Sequence, residues 1–293
     1  MNKVLFGLVS ILLKLISLLP FWLLYLISDL LFILLYHVFK YRRKVVHNNL
    51  ANSFPNRSAA ERAGIEKRFY KFLADMIMES TKSISITKKE LQQRYQFENL
   101  EAISRHLEAG RSVIAVSGHY GNWEWGPLGI PSELDRDVLV VYKPLSDTKF
   151  DQLITKVRAR FGTIMVPMKQ TLRKITEYKN TPHVLVLVGD QTPVREESQY
   201  FTDFLNQPTA VFLGVEKIAS KTNSPVVYFS IKRIKRGHYK SVVEPLIENP
   251  NDCSEYEITT AHTKKLEDLI EKQPDYWLWS HKRWKFKPED IKK

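Results

Sequence analysis

The chain has 293 residues, 44 Lys and Arg against 32 Asp and Glu, and a single cysteine, which leaves a formal net charge of +12. One cysteine excludes an intramolecular disulfide and argues against a thiolate metal cluster. No helix-turn-helix, zinc-finger or ribonucleoprotein motif accompanies the positive charge, so an anionic membrane or an acidic protein is a better partner for it than nucleic acid.

The first 39 residues are almost wholly apolar. Two runs, 4–19 and 21–39, are split by Pro20, and each carries one charge, Lys14 and Asp29. A spanning helix needs about 20 largely apolar residues. The second run is long enough, although a carboxylate near the bilayer centre costs about 2.5–3.5 kcal/mol. Pro20 permits a kink or a helical hairpin. The apolar region outlasts a signal-peptide core and no small-residue cleavage site follows it. Residues 1–45 are therefore expected to be a retained membrane anchor, one helix or a hairpin, which spans the bilayer or lies partly within it. Lys40, Arg42, Arg43 and Lys44 follow directly, where basic residues meet anionic headgroups on the cytoplasmic side.

Residues 46–293 are expected to form one catalytic domain, long enough to bury a core without covalent staples. Residues 58–80 have the apolar spacing of an amphipathic helix. Short β-branched runs then alternate with helical patterns. Strands are expected at 113–116, 138–142, 163–166, 184–188 and 226–231, and helices at 100–108, 123–128, 149–161, 172–178, 211–220 and 258–271. This alternation predicts an α/β fold with a mixed, mainly parallel sheet flanked by helices. Residues 239–243 are expected to add an antiparallel edge strand after Gly237.

In such sheets functional residues gather past the carboxyl ends of strands. The loop after 113–116 reads Ser117-Gly118-His119-Tyr120-Gly121-Asn122-Trp123-Glu124. Residues five apart on a helix lie about 140° apart, so His119 and Glu124 meet most easily if the histidine sits in the turn before a helix and the glutamate in its first turn. Asn122 suits the N-cap, which would aim free N–H groups at a reaction centre. Glu124 could then accept from one imidazole nitrogen and leave the other as a base. The alternative is a turn histidine that merely caps a helix. Two further clusters stand out: Arg158 and Arg160 before Gly162, and Asp190 with Gln191 after the 184–188 strand. Each also has a plain reading, as solvated helix residues or a turn-forming carboxylate. Cys253 lies in a polar loop with no histidine near it in sequence. No Gly-x-Ser-x-Gly elbow and no zinc-ligand spacing occurs, so neither a serine hydrolase nor a metal or other cofactor is expected.

Taken in order, these motifs make the chain resemble the bacterial lipid A late acyltransferases of the lysophospholipid acyltransferase superfamily, over nearly its full length. They are the apolar N-terminus, Asn48-Asn49-Leu50, Gly-His-Tyr-Gly-Asn-Trp-Glu, Arg160-Phe161-Gly162, Gly189-Asp190-Gln191, Phe201-x2-Phe204, Pro208-Thr209-Ala210, and Pro274-Asp275-Tyr276-Trp277-x3-His281-Lys282-Arg283-Trp284. The resemblance implies a membrane-associated enzyme that moves a fatty acyl chain from acyl carrier protein to a hydroxyl of a lipid A precursor, at the cytoplasmic face of the bacterial inner membrane. It implies His119 as general base with Glu124 behind it, and Arg158, Arg160, Asp190, Gln191 and Asn122 as substrate-binding residues. Another glycolipid, phospholipid or aminolipid acceptor, or a non-catalytic membrane tether, are the alternatives. The closing run Lys282, Arg283, Lys285 and Lys287, interleaved with Trp284 and Phe286, is expected to be an exposed basic rim for headgroups or an acidic carrier.

Overall fold

The computed structural model describes residues 3–290; the outer ends of the two expected segments, residues 1–2 and 291–293, lie outside them. The chain opens with α1 (Lys3–Leu18) and α2 (Phe21–Ile33), which continues as a π-helical turn, Leu34–Val38. Two helices follow, α3 (Arg43–Ser53) and the long α4 (Ala59–Lys82), then α5 (Lys88–Arg94). The sheet region runs β1 (Tyr95–Glu98), α6 (Glu101–Glu108), β2 (Val113–Ser117), α7 (Trp125–Gly129), β3 (Val138–Tyr142), α8 (Thr148–Arg158), β4 (Ile164–Pro167), α9 (Thr171–Glu177) and β5 (Val184–Val188). A hairpin of β6 (Tyr200–Phe204) and β7 (Gln207–Val211) precedes α10 (Gly214–Thr222), β8 (Val226–Lys235), β9 (His238–Ile247) and α11 (Glu257–Lys272).

Seven strands form one sheet in the order β1-β9-β8-β2-β5-β3-β4. β8, β2, β5, β3 and β4 run parallel; β9 is antiparallel to β8, and β1 is parallel to β9. The mixed, mainly parallel sheet flanked by helices is therefore what the alternation predicted. The difference lies at one side: β9 is covered by β1 and is not the edge. β2 and β5 are buried along most of their length, as central strands coated on both faces require, so they read as unbroken apolar runs.

The sequence explains where α4 begins. Ser58 accepts from the Glu61 backbone N–H while the Glu61 carboxylate accepts from Ser58, a reciprocal capping box. One side of α4 buries Ile65, Phe69, Phe72 and Met76. The other receives the N-terminal pair. Lys82 donates to the free carbonyls of Ser17 and Leu19 at the end of α1, satisfying acceptors no helix turn can reach. Ser28 of α2 donates to Asp75 at 2.7 Å, and Asp75 also takes Arg233 and Arg236 from the β8–β9 hairpin. Asp29, the charge that argued against a simple span, pairs with Arg236 at 2.6 Å. The polar side of α2 thus faces protein, and Leu24 and Phe32 are buried.

The remaining faces of both helices are bare. Val4, Leu8, Ile11, Leu15, Trp22, Leu26 and Leu30 are each more than half exposed. The continuous helix Phe21–Val38 is long and apolar enough to cross a membrane. Of the four basic residues after it, Arg43 turns inward to Glu66 at 2.7 Å and Arg42 donates to the Ser280 carbonyl.

Candidate active site

The centre of the sheet sets the geometry. β2 and β5 pair in parallel with Ser117 opposite Val188. His119 and Asp190 each lie two residues beyond that matched pair, so the two side chains meet over the carboxyl edge. The backbone between them must be tight. At Gly118 a Cβ would come within 2.7 Å of Leu266 and 3.3 Å of Asp190 Oδ2. At Gly121 φ is +61°, and a Cβ would stand 2.5 Å from Ile231. Both positions need glycine, one for close approach and the other for the left-handed turn as well.

Asp190 Oδ1 lies 2.6 Å from His119 Nδ1, and its Oδ2 accepts from the His119 backbone N–H and from Trp277 Nε1, each at 2.8 Å. Burial by itself would raise this carboxyl; the charge and hydrogen bonds of His119, with Trp277, outweigh that and hold it at about 2. Burial likewise works against a charged imidazole, yet Asp190 and then Glu124 outweigh it, so the His119 pKa lies above its ordinary 6.5. Nδ1–H donating to Asp190 leaves Nε2 as the acceptor, and the Gln191 side-chain amide nitrogen sits 3.2 Å from it. The imidazole is 19% exposed, and the Trp123 ring packs edge-on against it at 5.4 Å.

The expected His119–Glu124 contact is not what forms. Glu124 takes Arg158 in a two-pronged pair at 2.6 and 2.9 Å. The reason is local. The helix expected at 123–128 begins only at Trp125, with Glu124 at its N-cap, so the glutamate points toward α8 while the parallel strand ends bring Asp190 to the histidine. Glu124 still acts on His119 through its charge.

Asn122 does cap the turn, accepting from the Trp125 backbone N–H at 2.9 Å, but it is fully buried and its amide donates to Glu79 at 2.7 Å. Burial, and then the neighbouring Asp75, push that Glu79 carboxyl up to about 7. Arg160 is drawn away from the cleft. Its guanidinium ties the carbonyls of Ser83 and Ile86 beyond α4, so it and Arg158 face different ways. Arg160, expected with Arg158 among the substrate-binding residues, thus has its guanidinium taken up by these backbone carbonyls.

The closing segment supplies what loop reading missed. Tyr120 and Trp277 form an antiparallel bridge, the Leu278 N–H donates to the His119 carbonyl, and Gly121 N–H donates to Tyr276. Trp277 is thereby set against Asp190. His281 Nε2 accepts from the Thr192 backbone N–H at 3.2 Å, and Asn49 of α3 holds the Trp279 and His281 carbonyls. The aromatic-basic signature was visible, but its pairing across about 150 residues was not. Arg283 is not part of an exposed rim; it is 3% exposed, while Lys282, Lys285 and Lys287 are exposed.

Beside the histidine turn a cavity of about 340 Å³ opens between α1, α4 and α8. Trp123, Glu124 and Arg158 line it together with Leu13, Leu73, Met76, Ile77, Phe150, Leu153, Ile154 and Val157. Its walls are aliphatic and aromatic apart from the Glu124–Arg158 pair and a few hydroxyls of α4. Among the described residues no three His, Cys, Asp or Glu side chains converge as metal ligands would.

Comparison with known proteins matches residues 2–286 to the family described as bacterial lipid A biosynthesis acyltransferase. The chain is 22% identical over 251 residues to the lipid A biosynthesis palmitoleoyltransferase of Escherichia coli K12, covering 85% of this chain and 80% of that protein. It is 24% identical over 256 residues to the lauroyltransferase of the same organism, covering 86% and 82%. With the lipid A biosynthesis acyltransferase of Haemophilus influenzae it shares 23% identity over 245 residues, 83% and 76% of the two chains.

Proposed function

The chain belongs to the bacterial lipid A biosynthesis acyltransferases and is an acyltransferase, and we propose that it carries a fatty acyl group from acyl carrier protein to a hydroxyl of a lipid A precursor, with His119 as general base. The observation that carries the proposal is the Asp190–His119 pair with Nε2 left as the proton acceptor beside an apolar cavity. A thioester donor is already activated, so the missing element is a strong nucleophile. Nε2 takes the proton as the acceptor oxygen attacks the thioester carbonyl. The tetrahedral intermediate then expels the thiolate, which recovers the proton from the imidazolium. Asp190 fixes the tautomer and stabilises the cation, as the acid of a hydrolase triad does. Gln191 stands within reach of the same reacting oxygen, and Glu124 with Arg158 forms a charged lip between base and cavity.

The cavity is our candidate for the acyl chain. Burial of one methylene is worth about 0.8 kcal/mol, close to fourfold in binding. Ile154→Trp, which fills part of the space, is expected to shift donor preference toward chains shorter by two or more carbons, read by competition among acyl donors. Unchanged preference would place the chain elsewhere.

The base must be neutral to act. Because its pKa is raised above 6.5, it is protonated at low pH, and kcat/KM is expected to rise with pH through a midpoint above that value. Asp190→Asn removes the larger of the two raising influences while burial remains, so the midpoint should fall. A flat profile between about pH 6 and 9 would contradict the role of His119.

The bare apolar faces of α1 and α2 support seating in a membrane, where such surface is covered, and residues 1–45 would be that seat for the catalytic residues 46–293. The exposed Lys40 and Lys44 beside it support the cytoplasmic face of the inner membrane. The net charge of +12 suits an acidic carrier protein, whose KM would rise with ionic strength as screening sets in.

A further inference from the structure

Arg283 is a buried cation that the chemistry above does not use. It is 3% exposed, and its Nε and Nη1 meet no acceptor among the described residues. It shares a small internal cavity with Asp190, Ser117, Tyr228 and His262. His262 Nε2 and the Tyr228 hydroxyl are likewise buried without a partner. The cavity measures about 20 Å³, room for about one water where polar groups can bind it. Asp190 accepts three hydrogen bonds, whereas a carboxylate has about four acceptor sites. One site remains for a water that also accepts from the guanidinium.

We propose that Arg283 is a positioning residue for the His119–Asp190 pair, acting on the Asp190 carboxylate through water held in this cavity and so setting the proton affinity of the base. The inference rests on the reading of that pair as the catalytic dyad. The charged and titratable groups that act on the pair are Glu124, Arg158 of α8, Tyr228 of β8, His262 of α11, and His281 and Arg283 of the closing segment. Burial drives both His262 and His281 down to about 4, so neither is charged near neutrality. Arg158 is neutralised by Glu124. Burial lowers Arg283 to about 10, with Asp190 opposing that, and it stays charged. Among the described residues it is thus the cation near the pair that no other carboxylate offsets. Its field weakens the pull of Asp190 on the imidazolium and keeps the base from being too readily protonated.

The test is the titration of His119 in full-length protein labelled with ¹⁵N-histidine, its signal assigned by its loss in His119→Gln. Arg283→Met and Arg283→Gln both delete the charge, and Gln leaves a hydrogen-bonding group in the cavity should Met prevent folding. Each is expected to raise the His119 midpoint by about one pH unit, and Arg283→Lys to leave it within a few tenths. An unchanged or lowered midpoint in the folded neutral variants overturns the inference, as does a shift in the Lys variant equal to theirs. The rising limb of kcat/KM should move with the titration. A shifted titration without a shifted limb supports the Arg283 inference and counts against His119 as the base, which separates the two claims.

Discussion

His119→Gln and Asp190→Asn are each expected to lower acyl transfer by about 10²–10⁴-fold while leaving the fold intact. The two act as one unit, so the double variant should be little worse than the more damaging single. Asp190 takes three hydrogen bonds from groups that otherwise lie buried. Asparagine cannot accept all three, and it turns the imidazole toward the wrong tautomer. Glu124→Gln tests a different contact. It leaves Arg158 with one neutral acceptor, and losing a charge-assisted hydrogen bond of about 1.5–3 kcal/mol corresponds to about 10–150-fold. Its effect should therefore be non-additive with Arg158→Gln rather than with Asp190→Asn. Steady-state rates of purified variants decide this. Strong coupling of Glu124 to His119, with Asp190→Asn near wild type, would return the glutamate to the role its spacing first suggested.

Deleting residues 1–39 is expected to unfold the protein rather than merely release it from membranes. Leu24 and Phe32 are buried, and two such side chains contribute about 3–6 kcal/mol. Asp75 would lose Ser28, Arg236 would lose Asp29, and Lys82 would lose the carbonyls it ties. The Asp29–Arg236 pair is exposed and adds at most about 1 kcal/mol, while the hydrogen bonds lost at charged Lys82 and Asp75 cost about 1.5–3 kcal/mol each. Together these approach the whole stability of a domain, about 5–15 kcal/mol. Ser28→Ala alone should cost only about 1 kcal/mol. Circular dichroism and thermal melts in detergent would show the truncated chain without a cooperative transition. A truncated protein that melts like the full chain would mean that α2 is an appendage.

The sheet was legible because its central strands are β-branched runs with turn residues between them, and 138–142 and 184–188 match the observed strands residue for residue. β1 and the β6–β7 hairpin were not, since Tyr95–Glu98 and Tyr200–Phe204 are only partly buried and carry no β-branched run. Tyr239 onward was read as an edge because nothing local reveals that β1 covers it. That His119 and Asp190 stand out was visible, each in an odd loop after an apolar strand. Their partnership was not, because it follows from the register of Ser117 on Val188, a fact of pairing between segments about 70 residues apart. Helical spacing favoured Glu124 only on the assumption that a helix starts at Trp123. The resemblance made Arg160 a substrate-binding residue and the closing run made Arg283 part of an exposed rim; only packing shows one tying carbonyls and the other buried.

The most direct test of the central claim is mass spectrometry of a lipid A precursor incubated with purified full-length protein and acyl carrier protein charged with a fatty acid. One acyl mass added to the acceptor by wild type, with His119→Gln and Asp190→Asn both folded and nearly inert, is the expected result. Free fatty acid without acylated acceptor, or transfer by His119→Gln at the wild-type rate, would contradict it.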